Sequence, residues 1–197
     1  MIHDWPEEDL TLLMAMISGQ VGPQGPPGPG VTKPFWFTPN TSDVAGNYAL
    51  SLVPPVSSTP TAFVQPLTGT APILLHSFVT DPGVPGLYYI QPGSATIHFH
   101  ASTGALNESA RLLTEIYVCA ADGTSPTLLR SFYSDSFSNG MREYEHSDSS
   151  ATGVMINVTD RIMVKLYGAR VAGPATVTLT LDYWATGVDS HLHFSAV

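Results

Sequence analysis

Polar and apolar residues alternate with a period of two in Ile97-His98-Phe99-His100, in Met163-Val164-Lys165-Leu166-Tyr167 and in Val177-Thr178-Leu179-Thr180-Leu181-Asp182-Tyr183. This is the pattern of strands with one buried face. Similar short β-like runs cover 47–53, 73–80, 86–90, 95–102, 112–121, 127–134, 141–146, 153–159, 161–167 and 175–184. Turn-forming residues separate them: Asp81-Pro82-Gly83, Gln91-Pro92-Gly93, Asp122-Gly123, Asn139-Gly140 and Ala172-Gly173-Pro174. Residues 106–113 read equally as one helical turn or the start of a strand. Strands at this density predict an all-β, antiparallel, jelly-roll-like sandwich over 73–197.

The first eighteen residues follow a different period. Leu10, Leu13, Met14 and Ile17 stand at i, i+3, i+4 and i+7 and form one apolar stripe. Asp4 is placed to cap a short helix, Pro6 suits its first turn, and Glu7, Glu8 and Asp9 favour its positive end. So short a helix is marginal alone, and its stripe predicts self-association or docking on a partner, with packing back on its own domain as the alternative.

Between helix and strands lies the most specific signal in the chain. Gly19, Gly22, Gly25 and Gly28 keep glycine at every third position, with Pro23, Pro26, Pro27 and Pro29 among the intervening residues. A collagen triple helix requires this phase, because only glycine fits where three chains meet at the axis. Residues 19–30 are therefore expected to form a short triple-helical neck, too short to hold three chains without a trimeric neighbour. Residues 31–72, rich in Pro, Thr and Ser, are expected to run as an extended arm over neighbouring surfaces, with Phe35-Trp36-Phe37 as an apolar anchor.

Composition narrows the function. Seven Lys+Arg against sixteen Asp+Glu leave a net charge of −9, which opposes binding to nucleic acid or to an anionic membrane surface. No apolar run is long enough to span a bilayer. The single cysteine, Cys119, excludes an intramolecular disulfide and reads as a buried structural thiol. No basic leader precedes an apolar core, so synthesis in a cytoplasm without a signal peptide is expected.

A short helix, a few Gly-X-Y triplets and a terminal β-domain resemble the trimeric virion proteins of tailed bacteriophages: fibres, baseplate receptor-binding proteins and capsid decorations. The closing stretch Leu181-Asp182-Tyr183-Trp184 and Ser190-His191-Leu192-His193-Phe194 is similar to the endings of such proteins. The resemblance implies a homotrimer located in the virion, anchored to other virion proteins by its N-terminus, with a head that binds a host-surface glycan or protein. A decoration role without a receptor, and the complement-related collagen-stalked binding proteins, are the alternatives it leaves open.

Chemical sites are sparse. His98-x-His100 and His191-x-His193 each place two imidazoles on one strand face. Three copies about a threefold axis would bring six nitrogens to one ion, a use that the phage-fibre resemblance also implies. Packing or an inter-subunit contact is the favoured reading, so neither a metal nor another cofactor is expected. Glu143 and Glu145 share a strand face and read as charges guarding an edge strand. Phe132, Tyr133, Phe137 and Tyr144 mark the best loop for stacking against a ligand. No Gly-x-Ser-x-Gly elbow, phosphate loop or His-Glu-x-x-His is present, and no enzymatic activity is expected.

Overall fold

The computed structural model describes residues 31–55, 62–84, 89–150, 152–183 and 190–196. The helix expected over 1–18, with Leu10, Leu13, Met14 and Ile17, and the neck expected over 19–30, with Gly19, Gly22, Gly25 and Gly28, lie outside the described residues.

The described residues are all-β and form twelve strands. These are β1 (Val31–Thr41), β2 (Tyr48–Ser51), β3 (Ala62–Leu67), β4 (Ile73–Thr80), β5 (Tyr89–Thr103) and β6 (Ser109–Cys119). They continue as β7 (Thr127–Tyr133), β8 (Arg142–Ser150), β9 (Val154–Met155), β10 (Arg161–Ala172), β11 (Val177–Asp182) and β12 (His191–Ala196). One hydrogen-bonded path runs β3-β11-β5-β12-β1-β2-β4-β10-β6-β7, and β8 and β9 pair with β5. Every pairing is antiparallel except β2 with β4. The path folds back on itself as a sandwich, and Phe132 on β7 meets His146 on β8 with ring centroids 5.3 Å apart.

The alternation read from the sequence decides what is buried. On β11, Val177, Leu179 and Leu181 are fully buried while Thr178, Thr180 and Asp182 are not. On β5 the inward set is Ile97, Phe99 and Ala101, which leaves His98 and His100 on the opposite face. Phe35, Phe37, Phe78, Leu112, Leu166 and Leu192 meet them in the core at 0% exposure. A smaller cluster of Val79, Cys119 and Met163, covered by Val44, occupies the other side of β4, β6 and β10.

Three expectations are corrected. The described residues of 31–72 do not run as an arm over the head: they supply β1, β2 and β3 to the sheet itself. The aromatic triplet is a strand with period two, in which Phe35 and Phe37 are buried and Trp36 faces outward. Proline is accommodated because Pro39 sits at the register shift between Phe37 and Thr41 and Pro66 sits on β3, which pairs only with β11. Tyr89 and Ile90 belong with the run 95–102 to one strand, β5, since Gln91-Pro92-Gly93 is absorbed at an irregularity in its pairing with β12, with Gly93 at φ 139°; the rest of the run expected over 86–90 lies outside the described residues. The closing stretch from His191 is itself a strand, inserted between β5 and β1. Within 106–113, Leu106 and Asn107 form a turn and β6 starts at Ser109.

Candidate functional site

Among the described residues, one group of three side chains able to hold a metal ion lies together, on the outward face of β5 and β12. Antiparallel register places one residue from each of four strands in a row: Trp36 of β1 opposite His191 of β12, His191 opposite His98 of β5, and His98 opposite Glu145 of β8. His193 stands two positions further along β12, and therefore on the same face. Their neighbours Ile97 and Leu192 point into the core at 1% and 0% exposure, so burial of the apolar set holds the histidines outward.

His98 and His191 stack with centroids 4.5 Å apart and planes 11° from parallel. His193 closes the triangle at 5.2 Å from His98 and 5.3 Å from His191, edge-on to both. Each ring offers a nitrogen, and the three nitrogens lie within 4.8 Å of one another. Trp36 covers the far side of His191 at 4.6 Å. Across the sheet, Nδ1 of His98 is 3.2 Å from Oε1 of Glu143. All three imidazoles are half-buried.

Burial, followed by the neighbouring rings of His191 and His98, holds His193 below the ordinary histidine value, while Glu145 pulls the other way. A half-buried imidazole with two others beside it is harder to protonate than one in water. Neutral imidazoles carry an in-plane lone pair, so the arrangement suits a cationic Lewis acid.

The two His-x-His pairs do not act as pairs. One histidine of the first joins both of the second within a single chain, and His100 stays outside the group. His100 lies opposite Glu143 on one side and Asp182 on the other. Alternation revealed that each pair shares a face, whereas the juxtaposition of β5 and β12 has no local signal.

The expected ligand loop is mostly interior. Phe132 is 7% exposed and Phe137 1%. Phe137 packs against both Phe99 and Tyr144, and Tyr144 stacks on Phe99 at 5.7 Å and 16°. Arg142 donates from Nε to the Tyr144 hydroxyl at 2.7 Å. Tyr133 alone of the four stays on the surface, at 38% exposure, with the Arg111 guanidinium 4.0 Å above its ring. With Phe132 and Phe137 turned into the core, the stacking surface that the sequence suggested is reduced to Tyr133 and the half-buried Tyr144. The Cys119 thiol is buried at 3.8 Å from the Arg161 carbonyl, and burial pushes its pKa up. β8 pairs with β5 and carries the charged edge expected of Glu143 and Glu145.

No known family profile matches the chain, and no curated protein is similar to it in sequence. Its fold is similar to part of two enzymes of solved structure. An aminopeptidase from a marine-sediment Thaumarchaeota archaeon matches with a TM-score of 0.56 at 9% identity, over 84% of this chain and 36% of that one. A CocE/NonD family hydrolase from Staphylococcus aureus matches with a TM-score of 0.54 at 11% identity, over 85% of this chain and 37% of that one. The chain thus spans little more than a third of either enzyme, and the likeness is one of fold. A CBM4 structure and a chain of infectious bursal disease virus match at TM-scores of only 0.33 and 0.34.

Proposed function

We propose that this protein is a non-enzymatic, homotrimeric structural component of a virion, of the tailed-phage type, anchored by its N-terminal helix and presenting the β-sandwich as its head. The observation that carries this reading is the glycine phase at Gly19, Gly22, Gly25 and Gly28, which runs to within three residues of β1 at Val31. β1 is hydrogen-bonded on both edges, to β12 and to β2. A pull on the neck is therefore borne in shear by two ladders at once, which suits a mechanical joint.

Within this role, cementing of neighbouring subunits is favoured over stacking on a host glycan. Phe132 and Phe137 are core residues and Tyr133 is capped by Arg111, so the aromatic loop offers little open ring face. Light scattering on the full chain tests the assembly. Three copies of the 21.0 kDa chain give about 63 kDa, as a closed cyclic trimer requires, and a stable monomer would overturn the proposal. A glycan array on the same sample is expected to stay blank, and a reproducible hit would restore the receptor role.

A further inference from the structure

We propose that His98, His191 and His193 of a single chain bind one first-row transition-metal ion of the zinc class, with Glu143 as the positioning residue that orients His98. This inference stands independently of the trimer and the virion.

Three arguments support it. The first is geometric. Three imidazoles on one tetrahedral ion of zinc size have nitrogens about 3.4 Å apart, and the three nitrogens here already lie within 4.8 Å of one another. Small side-chain rotations close that gap, and two neighbouring strands with fixed register supply the rings. The second is the donor set. Imidazole nitrogens without a thiolate or a chelating carboxylate suit zinc, copper or nickel and not calcium or magnesium.

The third is the carboxylate behind the first ligand. Glu143 is 3.2 Å from Nδ1 of His98, the arrangement in which a carboxylate accepts one ring N–H and fixes the lone pair on the other nitrogen. Glu145, opposite His98 in register, adds negative charge to a face that would otherwise collect three potential cations. The partial exposure of all three rings leaves a fourth coordination position to water or to a ligand from solution. The ion would also tie β12 to β5, next to the strand that follows the neck.

The test uses the full chain, freed of metal with a chelator and titrated with Zn2+ in competition with a chromogenic chelator. Co2+ absorption serves as a second readout. The expected result is one saturable ion per chain, a tetrahedral Co2+ spectrum that Zn2+ abolishes, and a higher melting temperature with Zn2+ in the unmodified protein. His193→Gln and His98→Gln should each weaken binding at least tenfold, and Glu143→Gln by about tenfold, in the range of lost outer-shell partners. His100→Gln should bind as the parent does. Absence of saturable uptake at 1 mM Zn2+ would overturn the proposal, as would parental affinity in His193→Gln or one ion per three chains. The melting shift in the unmodified chain needs no variant, so a misfolded variant leaves the test intact.

Discussion

Arg161 and Asp43, 118 positions apart in the chain, form a two-pronged ion pair with both guanidinium NH2 groups 2.6 Å from a carboxylate oxygen. The Arg161 side chain is only 2% exposed, and it also donates to the carbonyls of Thr80 and Ala121. One side chain thus pins the β1–β2 connection, the end of β4 and the turn after β6. Truncating a buried, hydrogen-bonded charge strands its partners. Arg161→Leu is expected to cost about 1–3 kcal/mol by urea denaturation, because the carbonyl of buried Thr80 loses its donor. Asp43→Asn should lower the denaturation midpoint as well, because it leaves that guanidinium without its counter-charge. The guanidinium also holds the Asp43 carboxyl well below its ordinary value of 3.8. The stability this provides is complete above that value and is lost only as pH falls well beneath it.

His76 produces an acid step at higher pH. Its ring lies 4.1 Å from Phe63 and 5.1 Å from Tyr48, and burial lowers its pKa from 6.5 to about 4. Above 6.5 the ring is neutral whether folded or not. As pH falls from 6.5 toward 4, the unfolded chain takes up a proton that the folded chain refuses, so stability declines, and below about 4 the loss levels off. The loss should reach about 2 kcal/mol once partial exposure is discounted. Denaturation at pH 7, 5.5 and 4 should show it in the parent and not in His76→Phe.

Phe137 and Tyr133 sit four residues apart and should respond in opposite ways. Phe137→Ala removes a ring that is 1% exposed and should cost about 3–5 kcal/mol. Tyr133→Ala loses mainly the contact with Arg111, worth about 0.5–1 kcal/mol. Equal costs would contradict the assignment of Phe137 to the core.

Gly173 and Gly140 both have positive φ, at 112° and 90°, but differ in space. A Cβ on Gly173 would stand 2.8 Å from the Asn107 carbonyl oxygen, and one on Gly140 would meet nothing within 4 Å. Gly140→Ala should therefore cost only the backbone strain, about 1 kcal/mol. Gly173→Ala should cost distinctly more, measured by the shift in melting temperature.

Gly25→Ala tests the neck. A methyl does not fit the axis of a collagen triple helix, so the variant should dissociate at a lower temperature than the parent in light scattering. The melting of the sandwich itself, followed by near-ultraviolet circular dichroism, should not change. An unchanged dissociation temperature would mean that the triplets are a plain linker.

Much of the strand content was legible because alternation is a local property. β4 was anticipated at its observed bounds, Ile73–Thr80, and the inward residues of β11 follow directly from the odd positions 177, 179 and 181. β1 and β3 escape this reading for one reason. β1 and β3 contain Pro34, Pro39 and Pro66, and proline argues against a strand unless an edge or a bulge is known in advance. The interior place of Phe132 and Phe137 is not legible in the sequence, because serines and aspartate bracket them, a polar setting that gives no hint of the core beneath.

The amino-acid sequence by itself determined that this protein is β-rich, acidic and headed by a glycine-phased segment, because periodicity, charge and triplet spacing are carried by residues close together in the chain. It also determined which side chains share a face, since neighbouring residues on a strand point in opposite directions. Only the tertiary structure decided which faces meet. His98 and His191 are 93 positions apart yet stand in register, and Arg161 reaches Asp43 across the fold. Those meetings follow from the folding of a ten-strand path, with β8 and β9 attached at β5, around the main apolar core. Strand order is set by the global fit of that core, to which every strand contributes and which no single segment encodes.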